Sequence, residues 1–183
     1  MLTHQKIQTL IRLRDEFRDI NPNPDPNIGG FSFGLIDEDN FFEWRGIFGG
    51  PRGTPYNQGI FYVILKFPDN YPSSPPKVVF KTPIYHMNVR SREDGNGSLG
   101  EPNLNILNQW KPEFKVKDIL VSIYSLCYMN NIDCAFFSDM AEEFRNNKSL
   151  YEEKIKYFTK KYAYPRFNDG FREYDNWDFT YNN

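Results

Sequence analysis

Cysteine is scarce in this chain: Cys127 and Cys134 are the two present among 183 residues, too few for a disulfide framework. That scarcity points to a reducing compartment, cytoplasm or nucleus. Long apolar runs are missing as well. None approaches the roughly 20 residues a bilayer span requires, so no membrane partner is expected. Charge of one sign is not in excess either. A net charge of −2 and a pI near 5.7 argue against nucleic acid or an anionic membrane as the main partner. The N-terminal stretch MLTHQKIQTLIRLRDEF is amphipathic and mixed in charge, unlike a signal peptide. There are no internal repeats, and neither metal nor cofactor is expected.

Aromatic side chains are abundant: 17 Phe and 12 Tyr bring the aromatic share to 17%. With 39% hydrophobic and 25% charged residues, the composition is that of a globular protein with a substantial core. The expected organisation is one domain over residues 1–165 followed by an aromatic C-terminal tail, 166–183.

Periodicity divides that domain. Ile7, Leu10, Ile11 and Phe17 fall at helical spacing, while Lys6, Arg12, Arg14 and Asp15 face elsewhere. NPNPDPN, with its alternating prolines, stops the helix. The period then changes to two: Phe31, Phe33 and Leu35; Phe42, Trp44 and Gly46; then GIFYVILKF and, after PDNYPSSPP, KVVFKT. Separated by turn-rich stretches, these read as four consecutive antiparallel strands in a meander. From Tyr85 to Trp110 periodicity fades into a long polar, glycine-rich loop of the kind that carries function. Helical signals return at VKDILVSIYSLCYM, where Val116, Ile119, Leu120, Ile123 and Cys127 share a face. Two further helices follow, the first capped by Ser138, the second opened by Ser149 and Glu152 as a capping box. A helix, four strands, a long loop and C-terminal helices make an α+β layered fold.

Several phrases now match a known family. GPRGTPYNQGIF, FPDNYPSSPPKVVF and LNILNQWKPEF resemble signature segments of the ubiquitin-conjugating enzymes, over about Lys6 to Pro165. The bland content of these phrases is scaffold: PSSPP cannot join a central sheet, because proline lacks a ladder donor. The resemblance implies the ubiquitin-conjugating fold, and a chemistry with three parts. A cysteine thiolate carries the modifier as a thioester. An upstream asparagine stabilises the oxyanion or the loop around it. An acidic group beyond the next helix receives the incoming lysine.

Two of the three have matching residues. His86-Met87-Asn88 resembles the family's His-Pro-Asn, with Asn88 at the oxyanion position and His86 as a hydrogen-bonding residue rather than a base. Within MNNIDCA, Asp133 matches the gate acid, although a solvated loop aspartate explains it equally well. The cysteine is absent. Counting back from Leu104 places it at Asn103; threading through GNGSLG places it at Gly100. Neither can form a thioester. The connection Val89–Asn103 is also longer than is usual in the family. Cys127 reads as a core residue. Cys134 is the possible substitute thiol, although its neighbour Asp133 disfavours a thiolate.

The resemblance further implies partner surfaces: Lys6, Arg12 and Arg14 on the first helix, Ser73 and Ser74 in the proline loop, and Lys111, Pro112, Glu113 and Phe114 after Trp110. Its basic residues also suit a solvated helix face. These would meet an activating enzyme or a ligase, although Ser73 stands where ligase-binding members often carry a large apolar anchor. The expected role is a non-catalytic member that binds ubiquitin, a ubiquitin-like modifier or an active conjugating enzyme. Two alternatives stand beside it: an active conjugating enzyme using Cys134, or one whose cysteine has been replaced, and a pure interaction domain of the RWD kind.

Overall fold

Alternation builds the sheet. In β2, Glu43–Gly49, the side chains of Trp44 and Phe48 turn inward and are all but fully buried, with Gly46 between them. In β3, Ile60–Lys66, Phe61, Val63 and Leu65 do the same. Antiparallel register sets Trp44 opposite Leu65 and Phe48 opposite Phe61, so the large rings share one pleated face. β1, Ser32–Leu35, and β4, Lys77–Phe80, flank this pair in the order β1-β2-β3-β4. Gly46 lies opposite Phe33, and a Cβ there would come within 2.7 Å of the Phe33 ring. The absent side chain is what lets that ring lie across the sheet. The computed structural model describes residues 3–20, 30–92, 95–164, 174 and 177–181.

One helix precedes the sheet and the others follow it. α1 is His4–Ile20, α2 is the single turn Asn105–Asn108, α3 is Val116–Leu126, α4 is Ser138–Asn146 and α5 is Lys148–Phe158. A 3-10 turn, Ile132–Cys134, precedes α4, and a π turn, Thr159–Ala163, extends α5. The expected α+β architecture and strand order are therefore present. The α3 face also packs as its spacing requires, with Val116, Ile119, Leu120 and Ile123 fully buried. Among the described residues no helix is long and apolar enough to cross a membrane, and no group of three or more His, Cys, Asp or Glu side chains could hold a metal ion.

Three local expectations change. On α1 the buried stripe is Thr9, Leu13 and Glu16, whereas Ile7 and Ile11 are 40% and 50% exposed. The helix turns a buried carboxylate inward because Glu16 finds partners there, and two isoleucines are left outside. The helix caps also shift. Ser138 is the first residue of α4 and its cap position is Phe137, with no side-chain bond. α5 begins before Ser149, capped by Asn147, whose Oδ1 accepts the Leu150 N–H at 3.1 Å. Asn147 also closes α4 through its own N–H to Glu143 O at 2.8 Å, so one residue ends one helix and starts the next. Third, the connection Val89–Asn103 is not open chain. Its ends pair like a short hairpin, Arg90 N–H to Glu101 O at 2.9 Å and Gly100 N–H to Arg90 O at 2.8 Å. The proline-rich stop at 21–27, the boundary at 165 and most of the tail lie outside the described residues.

Candidate functional site

Asn88 with residues 103–106 on one side, and the end of α3 with the stretch after it on the other, form the two walls of a cleft of about 680 Å³. Carboxamides and aliphatic side chains share its lining. Asn88, Asn103, Asn105, Asn130 and Asn131 all line it, together with Cys134.

The first wall is fixed from beneath. His86 is fully buried; its Nδ1 accepts the Asn88 N–H at 2.9 Å, and its Nε2 lies 2.9 Å from Leu126 O. A carbonyl accepts, so Nε2 carries the proton and the ring is neutral. Burial, outweighing the opposing backbone contacts at Leu126 and Met129, lowers its pKa to about 4. With both nitrogens committed and no solvent access, His86 orders the chain and is placed poorly for proton transfer. Asn88, also buried, spans the cleft: its Nδ2 donates to Asn131 O at 2.7 Å, and its Oδ1 accepts the Asn131 N–H at 2.9 Å. Its carbonyl accepts the Asn103 N–H at 2.8 Å.

Asn103 sits half-buried between the walls. Its Nδ2 donates to Cys134 O at 3.1 Å, and its Oδ1 accepts from Asn108 Nδ2 at 2.7 Å. Gly100 lies elsewhere. It is buried, has φ of +82°, and a Cβ would fall 2.1 Å from Phe80 O. No side chain fits there: that glycine closes the hairpin against β4.

The opposite wall is the 3-10 turn. Asn131 caps it by accepting the Asp133 N–H at 3.1 Å, and its Nδ2 donates to Cys134 Sγ at 3.4 Å. Asp133 is exposed on the rim, and Cys134 is half-buried beside Asn103. Cys127 faces away into the core, where burial pushes its thiol pKa up to about 12. Sequence reasoning missed Asn131, the residue that joins both walls. The signal was the Asn-x-Asp order in MNNIDCA, a short cap motif.

The predicted partner residues converge at one end of the molecule. Thr9 Oγ1 donates to the Asp69 and Tyr71 carbonyls at 2.8 and 2.6 Å, and Trp110 Nε1 donates to Pro72 O at 2.7 Å. This fastens α1 and both loops together. Lys6 pairs with Asp69 at 2.9 Å and lies 4.9 Å over the Phe42 ring, while Arg14 is exposed near Phe41. Ser73, Lys111, Pro112 and Glu113 are exposed. Ser74 is half-buried and accepts from Asn70 Nδ2 at 2.7 Å. Phe114 packs edge-on against Trp110. The Arg12 guanidinium is engaged by Glu16 and the Phe114 carbonyl. It is a structural tie between α1 and the 111–114 loop, because the buried Glu16 carboxylate requires a counter-charge.

Comparison with known proteins agrees with this geometry. A sequence model described as ubiquitin-conjugating enzyme matches residues 12–159. The probable ubiquitin-conjugating enzyme E2 31 of Arabidopsis thaliana is 37% identical over 134 residues, 73% of this chain and 82% of that protein. The solved E2 domain of a Toxoplasma gondii ubiquitin-conjugating enzyme superposes with a TM-score of 0.71 at 29% identity, over 85% of this chain and 99% of that one. A match across most of the chain, on this sheet and these helices, means that the protein belongs to the ubiquitin-conjugating enzyme family.

Proposed function

We propose that this chain is a non-catalytic member of the family that binds ubiquitin or a ubiquitin-like modifier, alone or beside an active conjugating enzyme. One observation carries the reading: the residue between the two walls is Asn103, a carboxamide whose nitrogen is not nucleophilic and whose two ends are already hydrogen-bonded. The retained cleft would then receive a modifier or orient one, without forming a bond to it. The cytoplasm or nucleus is the proposed setting, with activating enzyme or ligase as further partners of the α1 end. The proposed domain spans 1–165 and is followed by an aromatic tail, 166–183.

A second reading rests on Cys134, a half-buried thiol lining the same cleft. It would make the chain an active conjugating enzyme with its thiol on the opposite wall. One assay separates the two: purified protein, activating enzyme, ATP and ubiquitin, resolved on non-reducing gels with and without thiol. No adduct is expected from the natural sequence. An adduct that thiol removes, and that Cys134→Ser abolishes, would replace the first reading with the second.

A further inference from the structure

The aromatic tail reaches the candidate site from behind. Phe179 packs edge-on against Phe158 and Tyr85, with ring centroids 4.8 and 5.4 Å away. Tyr85 stacks on Phe158 at 5.2 Å and leans on Tyr151 at 5.5 Å. Tyr151 is fully buried, and its hydroxyl accepts the Met87 N–H at 2.9 Å and lies 3.3 Å from Asn130 Oδ1. Met87 immediately precedes Asn88 of one wall, and Asn130 belongs to the other. One phenol oxygen therefore bridges both walls, and the tail presses on the ring ladder that holds it.

The tail is fastened on either side of Phe179. Lys161 Nζ pairs with Asp178 at 3.1 Å, and the Tyr162 hydroxyl donates to Asp178 O. The Tyr181 hydroxyl donates to Glu153 Oε1 at 2.7 Å, and its ring meets Tyr157 edge-on. Lys161, Tyr162, Asp178 and Tyr181 lie beyond residue 159, where the match to the family model ends.

We infer that residues 177–181 act as a strap that positions the cleft, through Phe179, Tyr85 and Tyr151, by holding the Met87 and Asn130 walls in register. Tyr85, Tyr151 and Phe179 are positioning residues in this scheme, since none of them lines the Asn103 cleft. The inference concerns the walls alone and goes beyond the proposed function; it holds whichever chemistry the cleft performs.

Backbone hydrogen exchange on the full chain tests it. In Phe179→Ala, the amides of Met87 and Asn131 are expected to exchange about tenfold faster, with the amides of β3 unchanged. Tyr151→Phe removes one oxygen and keeps the ring, so it serves where the alanine variant folds poorly. It should accelerate the same two amides and leave β3 and the tail as they were. Unchanged protection at Met87 and Asn131 in either variant would overturn the proposal. So would a uniform acceleration across the chain, which would mean the tail adds general stability and does not position the site.

Discussion

Asn88 shows what a single side chain can reveal that its motif cannot. The motif assigns an oxyanion donor, yet both ends of this carboxamide are tied to the Asn131 backbone, so in this state it holds a loop. Met87 takes the place of the family's proline and uses the amide that proline would lack, donating to Tyr151. That bond explains why the change is tolerated. His86 offers the clearest titration. Its folded pKa lies near 4, below the ordinary value of 6.5, so as pH falls the unfolded chain takes up the proton first. Stability is complete above about pH 6.5 and is lost progressively toward pH 4. Between pH 7 and pH 5 the loss from this residue should be about 2 kcal/mol, a window in which most carboxylates have not begun to titrate. Urea unfolding at the two pH values, compared with His86→Gln, checks it; an equal loss in both proteins would remove His86 as the cause.

Elements were legible where one periodicity ruled, and less so where a polar group decided the packing. The α3 stripe is uniformly apolar and could be read directly. α1 could not, because its inward face includes Glu16, 4% exposed. Apolar spacing cannot find a buried carboxylate. Glu16 is held by Arg12, by the Tyr71 hydroxyl at 2.9 Å and by the Val116 N–H at 2.6 Å. The last of these occupies an amide at the start of α3 that the helix itself leaves unpaired. Burial, then the nearby Glu16 carboxylate, raises the Tyr71 pKa far above the phenol range, so this hydroxyl stays a donor at any working pH. The carboxylate thus joins α1, the proline loop and α3 at one point. Glu16→Ala should cost about 3 kcal/mol or more, since it strands an amide, a phenol and part of a guanidinium. Tyr71→Phe should cost about 1 kcal/mol. Chemical denaturation of both variants decides; a loss under about 1 kcal/mol for Glu16→Ala would show the network to be ornamental.

At the scale of the molecule, helix, meander and helical C-terminus were readable because each boundary has its own turn chemistry. Which distant residues meet was not. The Asn88–Asn131 tie across the cleft, the strap at residues 177–181 and the convergence of α1 with both loops are contacts between segments far apart in sequence, and no local period encodes them. That convergence leaves Ser73 and Lys111–Glu113 exposed at this end, while α1 exposes Ile7, Ile11 and Arg14. The end surface has a rigid base, since Trp110 ties the 110–114 loop to the Pro72 carbonyl and Tyr71 packs on its ring. What it lacks is a large apolar side chain on the proline loop, where Ser73 contributes a hydroxyl. If this surface receives a ligase, as the family resemblance implies, Ser73→Phe supplies a missing anchor without disturbing Asn70 or Ser74. An added aromatic contact of about 1–2 kcal/mol corresponds to roughly tenfold tighter binding. Titrating a RING-type ligase domain against both proteins would show it. Unchanged affinity, with the variant folded, would mean that this end of the molecule meets a different partner. The exposed isoleucines of α1 would then be the residues to change next.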